Sequence, residues 1–309
     1  MPATNIAICI ASYKRPEGLQ RLLESIDNLI YIDGDIEIFI ADNDGEMHQG
    51  SDYVLGNRHH HKYKISCEVE ADAGISFARN KCVSMVFQAG KPFDYIAFTD
   101  DDITVCQNWI ADLVRTAKLY QAAAVFGKRE PWFDAPTSAR ILKACYFKEE
   151  FECPTTGTEV SEGPTCNMLV EASVFETLSH HPFDPDLSLS GGEDIDFCIQ
   201  MKSHGFHFVT CASAICYEHF PESRLTDEWI TNRYFRTGST YAYMLKKHKS
   251  KAVFYSRIVK KILVLTKLCA IFFINRDLSA KCKVYNTLGF FYFVKNGSSF
   301  QEYRRKVKV

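Results

Sequence analysis

Three consecutive carboxylates, Asp100-Asp101-Asp102, follow directly on the apolar run Phe93-Asp94-Tyr95-Ile96-Ala97-Phe98-Thr99. Such a run reads as a buried strand. The three acids at its tip repel one another, so they must share protons or hold a cation. One divalent metal meets that need. The same acids also suit a surface turn that caps the helix expected over 107–121. A second acidic pair, Glu193-Asp194, follows Gly191-Gly192 and opens a run anchored by Ile195, Phe197, Ile199 and Met201. Acids belong at a helix start on electrostatic grounds alone, and a carboxylate there is also able to take a proton from an attacking hydroxyl. His59-His60-His61 lacks any carboxylate at ligand spacing and reads as a solvated loop.

The elements that must position these groups alternate. The run Asn5-Ile6-Ala7-Ile8-Cys9-Ile10-Ala11 is continuous and apolar, as in a strand buried on both faces. Pro16 then suits a first helical turn, and Leu19, Leu22, Leu23, Ile26 and Leu29 recur at helical spacing. A second strand over 36–41 ends in Asp42-Asn43-Asp44-Gly45, and a weaker third covers 64–69. Asp72-Ala73-Gly74 leads into a helix over 75–87 that carries Arg79 and Asn80. The acidic run ends the fourth strand, and another strand is expected over 212–217. Strand and helix in alternation predict an α/β fold with a mostly parallel central sheet, whose strand carboxyl ends form the usual ligand-binding edge.

At 309 residues, 46% of them hydrophobic, the chain is large enough for one sizeable core with an appendage. Charge is unevenly placed. From Lys246 onward there are sixteen Lys and Arg against two acids, Asp277 and Glu302, leaving twenty basic against thirty-six acidic residues in the preceding 245. The expected division is therefore 1–245, with halves 1–105 and 106–245, and a basic tail at 246–309. The twelve cysteines sit mostly in apolar runs and form no C-x-x-C pair, so they read as reduced core residues. The first residues carry no secretory pattern, and a cytoplasmic location is expected.

Several of these segments, in order, resemble glycosyltransferase family 2, the inverting enzymes of the GT-A fold. Ile8-Cys9-Ile10-Ala11-Ser12-Tyr13-Lys14-Arg15-Pro16 is similar to the family's opening strand and loop, although Ala11-Ser12 stands for the usual Pro-Thr and Lys14 for Asn. Ile38-Phe39-Ile40-Ala41-Asp42-Asn43 resembles the segment that receives the nucleotide base, and Gly74-Ile75-Ser76-Phe77-Ala78-Arg79-Asn80 the helix start near the diphosphate. Thr99-Asp100-Asp101-Asp102 is similar to the D-x-D motif, and Gly191-Gly192-Glu193-Asp194 to the Gly-Gly-Glu-Asp box.

The resemblance covers roughly the first 220 residues. It implies a nucleoside-diphosphate sugar donor, UDP-linked, bound by Ala11, Tyr13, Arg15, Asp42, Arg79, Asp100, Asp101 and Arg224. It further implies Mn²⁺ or Mg²⁺ on Asp100 and Asp102, and Asp194 as general base with Glu193 in support. The resemblance also implies His219 as a third metal ligand or a diphosphate contact. The implied acceptor is a glycan hydroxyl, lipid-linked, in bacterial surface polysaccharide or lipopolysaccharide assembly. A nucleotidyltransferase and a non-catalytic sugar-nucleotide or glycan-binding module are the rival readings. The first lacks the glycine-rich basic loop it needs after strand one, and the second sits badly with intact carboxylates in both motifs.

In the tail, Ile258, Ile262, Leu265, Cys269, Phe272 and Phe273 share one expected helical face, with Arg257, Lys260 and Lys267 on another, although Val264, Leu268 and Ile271 lie among the charges. No apolar stretch reaches the ~20 residues of a spanning helix. The pattern fits a helix lying on an anionic membrane, on the cytoplasmic face of the inner membrane, or one docked on the catalytic domain. No nucleic-acid-binding motif occurs, and nucleic acid is not an expected partner. Trp132, Phe133, Tyr146, Trp229, Arg233 and Arg236 suit either a sugar-binding cleft or packing, and their spacing does not separate the two.

Overall fold

The computed structural model describes residues 3–31, 33–142, 146–147, 154–275 and 277–301. A sheet of nine strands among the described residues runs in the order β3-β2-β1-β4-β8-β6-β9-β5, with β7 added against β9. Its first part is parallel. β1 (Ile6–Ser12) lies between β2 (Ile36–Asp42) and β4 (Tyr95–Asp100), and β3 (Lys64–Val69) flanks β2. Every residue of β1 and β2 is buried, which is why these segments are apolar on both faces rather than alternating. The register pairs Ser12 with Asp42 and Ala11 with Asp100, so the polar ends of three strands finish at one edge.

The second part is antiparallel where β8 (Met168–Glu171) meets β4 and β6 (Ala124–Phe133), and where β9 (Phe208–Phe220) meets β5 (Ile103–Val105) and β7 (Glu159–Val160). β9 is much longer than the strand expected over 212–217. Helices α1 (Pro16–Asp27), α2 (Gln49–Asn57), α3 (Ile75–Gln88) and α4 (Trp109–Tyr120) connect the early strands. Leu19, Leu22, Leu23 and Ile26 of α1 are fully buried, as their spacing predicted.

Further along come α5 (Ala139–Leu142), α6 (Ala172–Leu178), α7 (Glu193–Ser203), α8 (Asp227–His248), α9 (Lys251–Asn275) and α10 (Leu278–Asn296). The chain forms two compact units. One comprises 1–132, 151–188 and 193–219; the other comprises 133–150, 189–192 and 220–309. The division expected at 245/246 falls inside α8, because the polar helix of the presumed catalytic part and the basic tail pack as one body.

In that second unit α8 and α10 cross closely at two glycines. A Cβ on Gly238 would collide with the backbone oxygen of Asn286, and one on Gly289 with that of Phe235. Ala242, Leu245, Phe290 and Phe293 fill the contact. On α9 Phe254 and Ile258 pack against this cluster and Val264, Leu265 and Leu268 are half-buried, whereas Tyr255, Val259, Ile262 and Leu263 stand exposed, Leu263 at 68%. The apolar face expected from the sequence is thus split between two sides, with Ile262 outside; the side chains of Cys269, Phe272 and Phe273 lie outside the described residues. No helix among the described residues is long and apolar enough to cross a membrane.

Candidate active site

Asp100 ends β4, and Asp101 and Asp102 make the turn into β5. Their counter-charges are arginines. Arg79, on α3 and 6% exposed, donates from Nη2 to both Asp100 oxygens at 3.0 and 3.2 Å and from Nη1 to Glu193 Oε1 at the start of α7. Burial opposes the charged guanidinium, but Asp100, Glu193 and Asp194 outweigh it and raise the Arg79 pKa. The Asp100 carboxyl is raised above its ordinary value by burial and by Asp102, with Arg79 opposing. The bridge thus joins the end of β4 to the first residue of α7, 93 positions later in the chain.

Asp101 serves the loop after β1. Its Oδ2 accepts from the Tyr13 backbone N–H at 2.8 Å and from Ser12 Oγ at 3.2 Å, and its Oδ1 from Arg15 Nη1 at 2.8 Å. Arg15 Nη1 reaches Asp102 Oδ2 as well, at 2.9 Å. Burial pushes Asp101 up to about 6 against Arg15's charge. Both Asp101 oxygens face this loop, so Asp101 shapes the segment that presents Tyr13, which is half exposed.

Asp42 is likewise turned inward. Its carboxylate is fully buried and accepts the backbone N–H of Asp44 at 3.1 Å and of Ser51 at 2.7 Å, fixing the chain between β2 and α2. Ala11 is buried opposite Asp100.

The segment resembling Gly-x-x-x-Ala-Arg-Asn shows why those residue types occur together. Gly74 has a φ of 126°, where an L side chain is strained, and a Cβ would strike Ser188. Its N–H donates to Asn43 Oδ1 at 2.7 Å. One turn later Arg79 points to the carboxylates, while Asn80 exchanges hydrogen bonds with the Phe183 backbone at 2.7 and 3.0 Å. The motif therefore pins α3, and with it Arg79, from both ends.

Asp194 is half-buried at the first turn of α7, with Oδ1 on the Ile195 N–H at 2.8 Å. Its acidic neighbour Glu193 is held by Arg79, so the pair divides into one anchored and one accessible carboxylate. Glu162 is an additional acid near Asp194, its pKa raised by partial burial and by Asp194's charge. The sequence carried no signal for it beyond a polar Ser-Glu-Gly. On β9 the His219 backbone N–H donates to the Asp102 carbonyl at 2.8 Å, and its ring Nε2 lies 3.3 Å from Thr104 Oγ1. Strand pairing thus sets His219 beside Asp102.

Among the described residues no group of three His, Cys, Asp or Glu side chains is assembled as a metal cage. Two carboxylates suffice for a cation that takes its remaining ligands from substrate phosphates and water. Asp100 and Asp102, flanking one turn with His219 next to the second, fit such a site. The other expected residues sit in the second unit. Arg224 lies over the Trp229 ring at 5.8 Å. Arg236 is buried and donates to the Ser190 carbonyl at 2.8 Å, and Gly191 and Gly192 pass tightly over Arg236 and Thr240. Phe133 and Tyr146 pack with Phe147 and Phe220, Tyr146 buried and Phe133 half-buried. Of the histidine run, His59 and His60 are exposed on a turn, but His61 bonds Asp27 at 2.7 Å rather than standing in solvent.

With this geometry in place, comparison with known proteins is decisive for the family. The family model described as "Glycosyltransferase like family 2" matches residues 2–237. The chain belongs to glycosyltransferase family 2. It is 31% identical over 241 residues to the succinoglycan biosynthesis protein ExoM of Rhizobium meliloti (strain 1021), covering 78% of this chain and 75% of that protein. Among solved structures, S. aureus TarS 1-349 in complex with UDP-GlcNAc superposes with a TM-score of 0.53 at 11% identity, covering 96% of this chain and 93% of that one. TarS 1-349 with UDP gives 0.50 at 12%, covering 98% of each. These last two likenesses concern the fold, which is GT-A-like. As a family 2 member the chain is a glycosyltransferase.

Proposed function

We propose that the chain transfers a hexose from a UDP-sugar, with inversion, to a hydroxyl of a lipid-linked glycan in the assembly of a bacterial surface polysaccharide. One observation carries the reading. The accessible carboxylate Asp194 is joined through its neighbour Glu193 and Arg79 to Asp100, so the proton acceptor and the diphosphate end of the site share one ion-paired frame. The acceptor oxygen attacks the anomeric carbon, the bond from that carbon to the diphosphate oxygen breaks with its electron pair leaving on UDP, and Asp194 takes the acceptor proton. A single displacement inverts the anomeric centre. Asp100 and Asp102 would hold Mg²⁺ or Mn²⁺, which supplies neutralising charge for the departing diphosphate. Tyr13, presented by the Asp101-bound loop, offers a ring face to the base.

TarS in complex with UDP-GlcNAc supports the choice of donor class, and ExoM's role in succinoglycan biosynthesis supports the pathway class. For the acceptor's lipid, the support is α9. Its exposed Tyr255, Val259, Ile262 and Leu263 form one stripe, rimmed by exposed Lys260 and Lys267, which suits a helix lying on an anionic membrane surface at the cytoplasmic face.

Thermal stabilisation across a panel of nucleotides and sugar nucleotides, with and without Mn²⁺, tests the donor side. Stabilisation by UDP that needs metal and vanishes in Asp102→Ala is expected. A folded sample indifferent to every nucleotide would overturn the proposed donor site.

A further inference from the structure

Trp132 is 54% exposed at the end of β6, where the next residue, Phe133, is half-buried. An indole left half in water contributes little burial to folding, and exposure alone is ordinary; what sets Trp132 apart is its bracing. It is not loosely placed. The ring meets Tyr217 edge-on at 6.3 Å and lies 5.9 Å from the His219 ring, tilted by 39°. Both partners are on β9, at alternate positions that are half-buried while Cys216, Glu218 and Phe220 point inward. Tyr217 pairs with Thr104 of β5, and the next non-adjacent pair along the ladder brings His219 against Asp102.

Directly paired antiparallel residues share a face, which sets His219 with Asp102 and Tyr217 with Thr104, and the ring contacts of Trp132 with Tyr217 and His219 put it on that same side of the sheet. β6, β9 and β5 are consecutive neighbours. Two strand spacings put Trp132 ~10 Å from the Asp102 strand, within reach of a short oligosaccharide whose reacting end lies at the carboxylates. Beside it on β6, Lys128 and Glu130 pair at 2.6 Å and offer polar groups of both signs next to the ring. Sugar rings present a face of C–H bonds and an equator of hydroxyls, and a flat exposed indole edged by charged groups matches both.

We propose that Trp132, braced by Tyr217 and His219, is the platform on which a pyranose ring of the acceptor glycan stacks. The proposal rests on the glycosyltransferase reading for the identity of the reacting end, but not for the stacking itself.

The chain has three tryptophans, so incorporation of 5-fluorotryptophan gives three fluorine signals, with that of Trp132 assigned by Trp132→Phe. The full chain is titrated with β-linked gluco- and galacto-oligosaccharides of one to four residues. A saturable shift of the Trp132 signal, with the buried Trp109 signal fixed, is expected. In transfer assays, Trp132→Ala should raise the saccharide KM about tenfold with the donor KM and donor hydrolysis unchanged, and Trp132→Tyr should restore most of the loss. A Trp132 signal unmoved by every saccharide, or transfer by Trp132→Ala with an unaltered saccharide KM, would overturn the platform. A saturable Trp132 shift in a protein that releases no UDP would keep the platform and overturn the enzymatic reading instead.

Discussion

Replacing Arg79 by Met removes a cation shared by two carboxylates while keeping most of the side chain's apolar stem. The structure sets the size of the effect. Arg79 and Glu193 are each 6% exposed, and Asp100 is 25% exposed, so the Glu193 contact is the less screened of the two. Breaking a buried charge pair from one side costs about 3–5 kcal/mol, and the partial exposure of Asp100 argues for the lower end, about 3 kcal/mol. Urea unfolding of the wild type, Arg79→Met, Glu193→Gln and the double variant measures this directly. Because Glu193→Gln removes the charge that Arg79 was holding, the double variant should recover about 2 kcal/mol of the additive loss.

The pH dependence has a fixed sign. Asp100 is already raised in the folded state, and loss of Arg79 raises it further. A carboxyl raised on folding contributes stability that is present below its unfolded pKa and is lost as pH rises through the folded one, so the Arg79→Met deficit should be small near pH 4 and complete by pH 8. If Arg79 served the diphosphate alone, the ligand-free variant would be nearly as stable as the wild type. A deficit under about 1 kcal/mol at pH 8, or strict additivity in the cycle, would refute the bridge.

Asp194→Asn should lower transfer by about 10²–10⁴-fold while leaving the melting temperature and UDP-linked stabilisation in place, and near-normal turnover would dismiss it as the base. Asp101, pushed up to about 6, should cost the folded state about 3 kcal/mol as pH rises from near 4 to above 6, since each unit is worth about 1.4 kcal/mol. Asp101→Asn lacks that titration, so its stability relative to wild type should improve over the same interval, as read by urea midpoints at several pH values. Gly289→Ala puts a methyl into the Phe235 backbone and should destabilise the second unit by about 3 kcal/mol or more, because a helix backbone gives way less easily than a side chain. The wild type should sediment with phosphatidylglycerol vesicles more than with phosphatidylcholine vesicles, and Lys260→Glu with Lys267→Glu should abolish the difference; equal sedimentation with both lipids would remove the anionic-surface reading of α9.

The early strands were legible because burial on both faces leaves an unmistakable apolar run, and α1 because Leu19, Leu22, Leu23 and Ile26 keep one strict face. Motif order then exposed the acidic turn and the Glu193-Asp194 pair. What stayed hidden was pairing at long range. Nothing local tells that Arg79 meets Glu193, that His219 falls beside Asp102, or that Asp101 binds Arg15 and the loop at Ser12 and Tyr13. α2 escaped because only Gly50 and Val54 of it are buried, too few to make a periodic face. In the tail the apolar residues are not confined to one side. α9 has apolar residues on both sides, so periodicity could not say which side packs inward.

The charge argument itself changes in the folded chain. Three adjacent aspartates demand a counter-charge, and from sequence a metal is the economical source. In the structure Arg15 and Arg79 meet the demand: one takes Asp101 and Asp102, the other Asp100. Charge balance alone therefore leaves a metal optional, and the case for one rests on Asp100, Asp102 and His219 sharing one turn and strand pair. It also explains why the arginines come from different elements. Arg15 ties the loop after β1 to the acidic turn, and Arg79 ties the turn to α7, so the ion pairs that neutralise the carboxylates are the same ones that fix Tyr13 and Asp194 relative to them. Removing either arginine should thus disturb geometry as well as charge, and Arg15→Lys, which keeps the charge but loses the planar fork, should weaken UDP-linked stabilisation even though the net charge of the site is unchanged.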